Sequence, residues 1–160
     1  MHWAGQHIGT PYSDTGTGPD SYHCWAFFRM VQRVQFGRQV GDIANPLDLR
    51  AQVLAFGDRA ELARWQTVPL HHAVEGDGVL LRRARYPIHV GIWVTPPDGA
   101  GVLHCVRGAG AVYQRPAMLA ADGWSIHGVY RYIGDCRDAD SGDAQGGRAV
   151  GCGGAGCQCV

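Results

Sequence analysis

The chain has 160 residues and a formal net charge of zero, with Lys+Arg and Asp+Glu at 14 each. Charge therefore argues against a nucleic-acid binder or a protein drawn to anionic membrane. With 46% hydrophobic residues, one domain of this length buries roughly 70% of its unfolded surface and builds a core without staples. No stretch reaches the eighteen or so apolar residues of a membrane span. The opening MHWAGQHIGT lacks a signal-peptide apolar run, so the expectation is a protein made in the cytoplasm and not exported by the general route.

Residues 9–20 (GTPYSDTGTGPD) are dense in Gly, Pro, Ser, Thr and Asp and read as a loop. CWAFFRMVQRVQFG follows, apolar at Ala26, Phe27, Met30, Val31 and Val34, the spacing of a helix that Gly37 would stop. Asp20 or Ser21 is the expected N-terminal cap. Cys24 then falls in the first turn of a buried helix. A second helix is expected over about 47–65, broken near Gly57. From Pro69 the pattern changes to short strands, expected at 76–83 after a turn, 88–95, 102–107, 111–116 and 127–133. Helices followed by an antiparallel meander define an α+β fold.

From about residue 135 the composition collapses to Asp, Gly, Ala, Ser and Cys, too little apolar surface to fold alone. The expected organisation is one domain over 1–134 and a flexible Gly/Cys-rich tail over 135–160. Four of the six cysteines, Cys136, Cys152, Cys157 and Cys159, lie in that tail. This is not the spread of a disulfide scaffold. The tail spacings match no standard zinc or iron–sulfur pattern, so incidental thiols are preferred over a metal site.

Taken alone, a helix cysteine such as Cys24 is a small buried hydrophobe. Its position carries more, because exposed N–H groups at a helix start favour a thiolate and a neighbouring imidazole can take the proton. Strand alternation narrows the imidazoles. In IHVGIWV, Ile88, Val90, Ile92 and Val94 form a β-branched core face, and His89, Gly91 and Trp93 share the other. His104 shares a face with Val102 and Val106 on the next strand. Pairing His89 with His104 centres the connection between Pro96 and Pro97 and sets their Cβ atoms about 5 Å apart. A helix-start thiol, a strand histidine and a second polar residue holding that histidine form a generalised triad. His23 is a further imidazole, but it adjoins Cys24 and diverges from it, so His89 is preferred as base. His71 and His72, adjacent on an extended segment, face opposite ways and read as ordinary surface residues. Arg82, Arg83 and Arg85 read as solvating a strand end.

In this order the segments resemble the NlpC family of cell-wall cysteine peptidases, compact relatives of papain. GTPY (9–12) resembles the family's G-x-PY opening, and GPDSYHCWAFFRMVQ (18–32) its nucleophile region, usually D-C-x-G before an apolar helix. GDGVLLR (76–82) resembles the G-D segment entering the first strand. HVGIWV (89–94) resembles the H-V-G-I-Y strand carrying the base, and VLHCV (102–106) the strand whose polar residue completes the triad. The likeness covers roughly residues 3–133. GTGPDSYHCW and the closing GWSIHGVYRY are similar to stand-alone members encoded in phage and prophage tail modules.

The resemblance implies an NlpC-type papain-like fold, N-terminal helices packed on the antiparallel meander. It implies a peptidoglycan hydrolase that cleaves stem-peptide amide bonds, with Cys24 as nucleophile, His89 as base and His104 orienting His89. Tyr12 matches a loop tyrosine that lines the site. His23 and Trp25 stand where the family carries an Asp and a Ser that bind the substrate's amino group. They are assigned to substrate binding here, and the usual γ-D-glutamyl specificity is left open. The chemistry calls for no metal and no cofactor. Partners would be the stem peptide and other phage tail proteins, with the virion tail carrying the protein to the host wall. The alternatives are a structural tail-assembly subunit of the same fold with little or no hydrolase activity, and a toxin-type amidase or acyltransferase.

Overall fold

The computed structural model describes residues 1–43 and 59–134. Helix α1 spans Cys24–Phe36, with Cys24 in its first turn as expected. Its cap is His23, not Asp20 or Ser21: the imidazole Nδ1 accepts from the N–H of Ala26 at 3.4 Å. The loop explains the difference, because bridges from Tyr12 and Thr17 to Tyr22 hold the chain extended up to His23. Gly37 ends α1 in the left-handed region at φ 65°. Its N–H reaches the Arg33 carbonyl and that of Arg38 reaches Gln32, the paired bonds that close a helix C-terminus.

The buried face of α1 carries Cys24, Trp25, Phe27, Phe28 and Val31, while Val34 is exposed. Gln32 takes a core position instead. Its amide nitrogen donates to the Gly76 carbonyl at 2.9 Å and its oxygen accepts from Arg38 at 2.9 Å. A buried amide is tolerated where both ends are bonded.

Only part of the expected second helix lies within the described residues, as the short α2 (Arg59–Leu62). Trp65, expected to be helical, begins strand β1 (Trp65–Val68), paired with the last strand through Trp65↔Tyr132 to Val68↔Val129. Long-range pairing decides such a short segment over its local pattern. The expected tail, with Cys136, Cys152, Cys157 and Cys159, lies outside the described residues.

The other strands are β2 (Gly78–Arg83), β3 (Tyr86–Val94), β4 (Gly101–Val106), β5 (Gly110–Gln114) and β6 (Ser125–Tyr132). They form one antiparallel sheet of order β1-β6-β2-β3-β4-β5. The meander β2–β5 is as expected, but β6 returns to the free edge of β2, so the last strand lies inside the sheet. The strand expected to run to residue 116 stops at Gln114. Pro116 instead starts helix α3 (Pro116–Ala121), where its fixed φ suits a first helical position.

Both faces of the sheet are covered. On one, Phe27, Phe28 and Val31 pack against Val90, Ile92, Val94, Leu103 and Cys105. On the other, Leu119 and Trp124 pack against Val79, Leu81, Trp93 and Val102. Each fully buried side chain of this size contributes about 1.5–3 kcal/mol. From Val90 to Val94 the β-branched face of β3 is thus the one under α1, whereas Ile88, expected on that face, packs in the opposite layer, where His89 stacks on Trp124.

Candidate active site

Strands β3 and β4 pair through Ile92↔Leu103, Trp93↔Val102 and Val94↔Gly101. That register is two residues from the expected one and makes His89 and His104 diagonal neighbours. They meet all the same, with His89 Nε2 2.8 Å from His104 Nδ1 and ring centroids 5.0 Å apart. Gly91 permits the contact. A Cβ there would lie 3.0 Å from the His104 Cβ and collide with a Val102 methyl. The missing side chain thus leaves room for the second imidazole.

Two residues that the sequence did not single out extend the pair. His104 Nε2 lies 2.8 Å from Gln114 Oε1, and Gln114 Nε2 donates to Asp122 Oδ2 at 2.5 Å. Trp124 stacks on His89, with centroids 4.8 Å apart at 26°. Arg83, expected to solvate a strand end, lies over Trp124 at 4.4 Å and donates to the Asp122 carbonyl at 2.9 Å. The only sequence signal for this assembly is that Gln114 and Asp122 flank a Pro-started helix next to the histidine strands.

Cys24 sits at the first residue of α1, buried in the cluster that holds Val90 and Cys105. Backbone groups of Val90, Trp25 and Cys24 itself lie close enough to its sulfur to favour the thiolate. Val90 is the residue next to His89, but no hydrogen bond joins the thiol to either imidazole among the described residues. The expected lowering of its pKa is reversed, because burial outweighs those backbone groups and pushes the Cys24 thiol up to about 11. Burial likewise pushes Cys105 up to about 12. Without substrate, alkylation of Cys24 by iodoacetamide should therefore rise about tenfold per pH unit from pH 7 toward about pH 10. Rate measurements that level off by about pH 8 would refute this.

Burial lowers the pKa of His89 well below the usual value, helped by His104 and Arg83, and burial also lowers that of His104. His7 and His23 are lowered by burial as well. Each therefore binds its proton less readily folded than unfolded, and on unfolding they take up protons below about pH 6.5. Their contribution to stability is complete above that pH and is lost as pH falls. Each proton gained on unfolding sets a slope of up to about 1.4 kcal/mol per pH unit. The melting temperature should therefore drop between about pH 7.5 and 5.5, and a flat profile would contradict it.

The expected substrate contacts divide. His23 (5% exposed) is spent on capping α1, and Trp25 (7% exposed) donates to the Gly41 carbonyl at 3.1 Å and stacks on Phe28. Both are interior residues in this structure. Tyr12 is half-buried, donates to Asp14 Oδ1 at 2.9 Å, and has its pKa raised to about 12, mainly by burial. Asp14 also pairs with Arg107 at 2.5 Å, which ties the Tyr12 loop to the β4–β5 turn. His71 and His72 lie in a 3-10 turn (Leu70–His72), not on a strand, with rings 4.2 Å apart. No group of three or more metal-ligating side chains occurs among the described residues. No described helix is long and apolar enough to cross a membrane.

By sequence the chain matches no family model and no curated protein. Its structure is similar to the NlpC/p60 domain of the peptidoglycan hydrolase SagA, at 20% identity and TM-score 0.50, over 77% of this chain and 89% of that one. It is also similar to a lipoprotein-like NLP/P60 family protein from Staphylococcus aureus, at 19% identity and TM-score 0.56, over 82% of this chain and 39% of that one. NlpC2 from Trichomonas vaginalis gives 16% identity and TM-score 0.52, over 81% and 44%. The chain thus spans most of the SagA domain and about two fifths of the other two. Its helices packed on a six-stranded antiparallel sheet have the α+β, papain-like fold of NlpC/p60 domains.

Proposed function

We propose that the protein is a peptidoglycan hydrolase that cleaves an amide bond of the stem peptide with Cys24, His89 and His104. The observation that carries this reading is the buried His89–His104 pair at 2.8 Å, on the strand that Cys24 touches at Val90, in an NlpC/p60 fold. The Cys24 proton passes to His89 and the thiolate attacks the carbonyl carbon. N–H groups at the start of α1 stabilise the oxyanion, each worth about 3 kcal/mol. The C–N bond breaks as His89 returns the proton to the leaving amine. His89 then deprotonates a water that attacks the thioester, releasing the acid and restoring the thiol. Because the resting thiol is buried and not bonded to an imidazole, substrate binding must bring the two together; catalytic hydrogen bonds commonly tighten in that way.

Tyr12, at the half-buried edge, is the residue assigned to substrate contact. His23 lacks the carboxylate that would grip a free amino group, so the scissile bond need not adjoin an amino terminus. The likeness of GTGPDSYHCW and GWSIHGVYRY to phage and prophage tail-module members supports delivery to the host wall by a virion tail. Incubation of the purified protein with sacculi tests the activity, with newly exposed amino groups as the readout. Time-dependent release is expected, and its absence across pH 6 to 9 would sink the proposal. One observation favours a second reading, a tail-assembly subunit that keeps the fold without the chemistry: the Cys24 thiol raised to about 11. No amino-group release together with stable incorporation into tail particles would favour it.

A further inference from the structure

Four side chains run in one hydrogen-bonded line across β3, β4, β5 and the end of α3, and their chemistry leaves little freedom in where the protons sit. An ionised carboxylate only accepts, so the end of Gln114 that meets Asp122 Oδ2 at 2.5 Å must be its NH2 group. The amide is thereby oriented with Oε1 toward His104 Nε2, 2.8 Å away. An amide oxygen only accepts, so His104 carries its proton on Nε2. A neutral imidazole has a single N–H, which leaves His104 Nδ1 as an acceptor. His89 Nε2, 2.8 Å from it, must then be the donor. The lone pair of His89 is left on Nδ1, which has no hydrogen-bond partner among the described residues. Burial disfavours the charged form of both imidazoles.

We propose that Gln114 and Asp122 are positioning residues: through His104 they fix His89 in the tautomer whose Nδ1 is free to take a proton. Arg83 steadies the far end of the line by bonding the Asp122 carbonyl and covering Trp124, the ring stacked on His89. The opposite tautomer would put a hydrogen on His89 Nδ1 and turn the base into a donor. Its suppression accounts for a carboxylate at the end of the line, where a neutral amide could reverse. The catalytic consequence rests on the reading of His89 as base; the tautomer itself does not.

The test is long-range proton–nitrogen NMR on the full chain labelled with nitrogen-15 histidine, beside turnover of a soluble stem peptide. Wild-type His89 should show an unprotonated Nδ1 and a protonated Nε2. Gln114→Met removes the acceptor and should give both tautomers, with kcat down on the order of tenfold and KM within about twofold. Asp122→Asn lets the amide turn over and should show the second tautomer as a minor form. If Gln114→Met does not fold, Asp122→Asn decides by the same criterion. A single, unchanged His89 tautomer in these variants overturns the proposal, whatever the rates. A wild-type chain that fails to hydrolyse the peptide overturns the functional reading, while the NMR result still judges the relay.

Discussion

Cys24→Ala is expected to reduce peptidoglycan hydrolysis to background while the protein stays folded. Removal of a covalent nucleophile costs on the order of a millionfold in turnover, because no neighbouring group replaces the attacking atom. Cys105 shares the core cluster of Cys24, but its sulfur points to the Tyr22 carbonyl at 3.5 Å and burial raises its pKa to about 12. It is no substitute. The stability cost should be small, since alanine retains the backbone bonds that start α1 and loses one buried sulfur. A shift of a few degrees at most in the melting temperature, with rates at background, is the expected pair of results. Retained activity would remove Cys24 from the mechanism.

His89→Ala should come next, with a loss of about 10²–10⁴-fold, the usual contribution of a positioned general acid–base group. His104→Ala should lose less, about 10–100-fold, since it acts on His89 and not on the substrate. Its structural cost should be the larger of the two, because it leaves the His89 Nε2 proton and the Gln114 oxygen buried without partners, at about 1–3 kcal/mol each. Turnover and thermal melts on both variants separate these effects. A His104→Ala rate loss equal to or greater than that of His89→Ala would reverse the assigned roles.

Much of this arrangement was legible in the sequence. The β-branched alternation Val90, Ile92, Val94 identified the face that packs under α1, and the Gly37 stop holds to the residue. The two histidines do meet, although through a diagonal. The turn after β3 sets a register two residues from the expected one, and spacing alone does not specify the loop. The rest depended on tertiary partners. Trp65 reads as helical until β6 pairs with it. Gln32, outside the apolar pattern of α1, enters the core because the Gly76 carbonyl and Arg38 bond its amide. His23 and Trp25 read as site residues by position, and their further bonds, the cap on α1 and the Gly41 carbonyl, carry no local pattern. The expectation of an activated thiol considered the helix start and left out desolvation, which is the larger effect for a sulfur this buried. Gln114 and Asp122 carry no local pattern, because their role exists only where β4, β5 and α3 converge.

Mass analysis of the muropeptides left after digestion of purified sacculi, wild type beside Cys24→Ala, decides whether Cys24 hydrolyses the stem peptide. Hydrolysis by Cys24 predicts pairs of stem-peptide fragments from the wild type alone, one with a new carboxyl end and one with a new amino end, whose masses sum to the parent plus one water. Intact muropeptides from both proteins, or the same fragments from both, would contradict it.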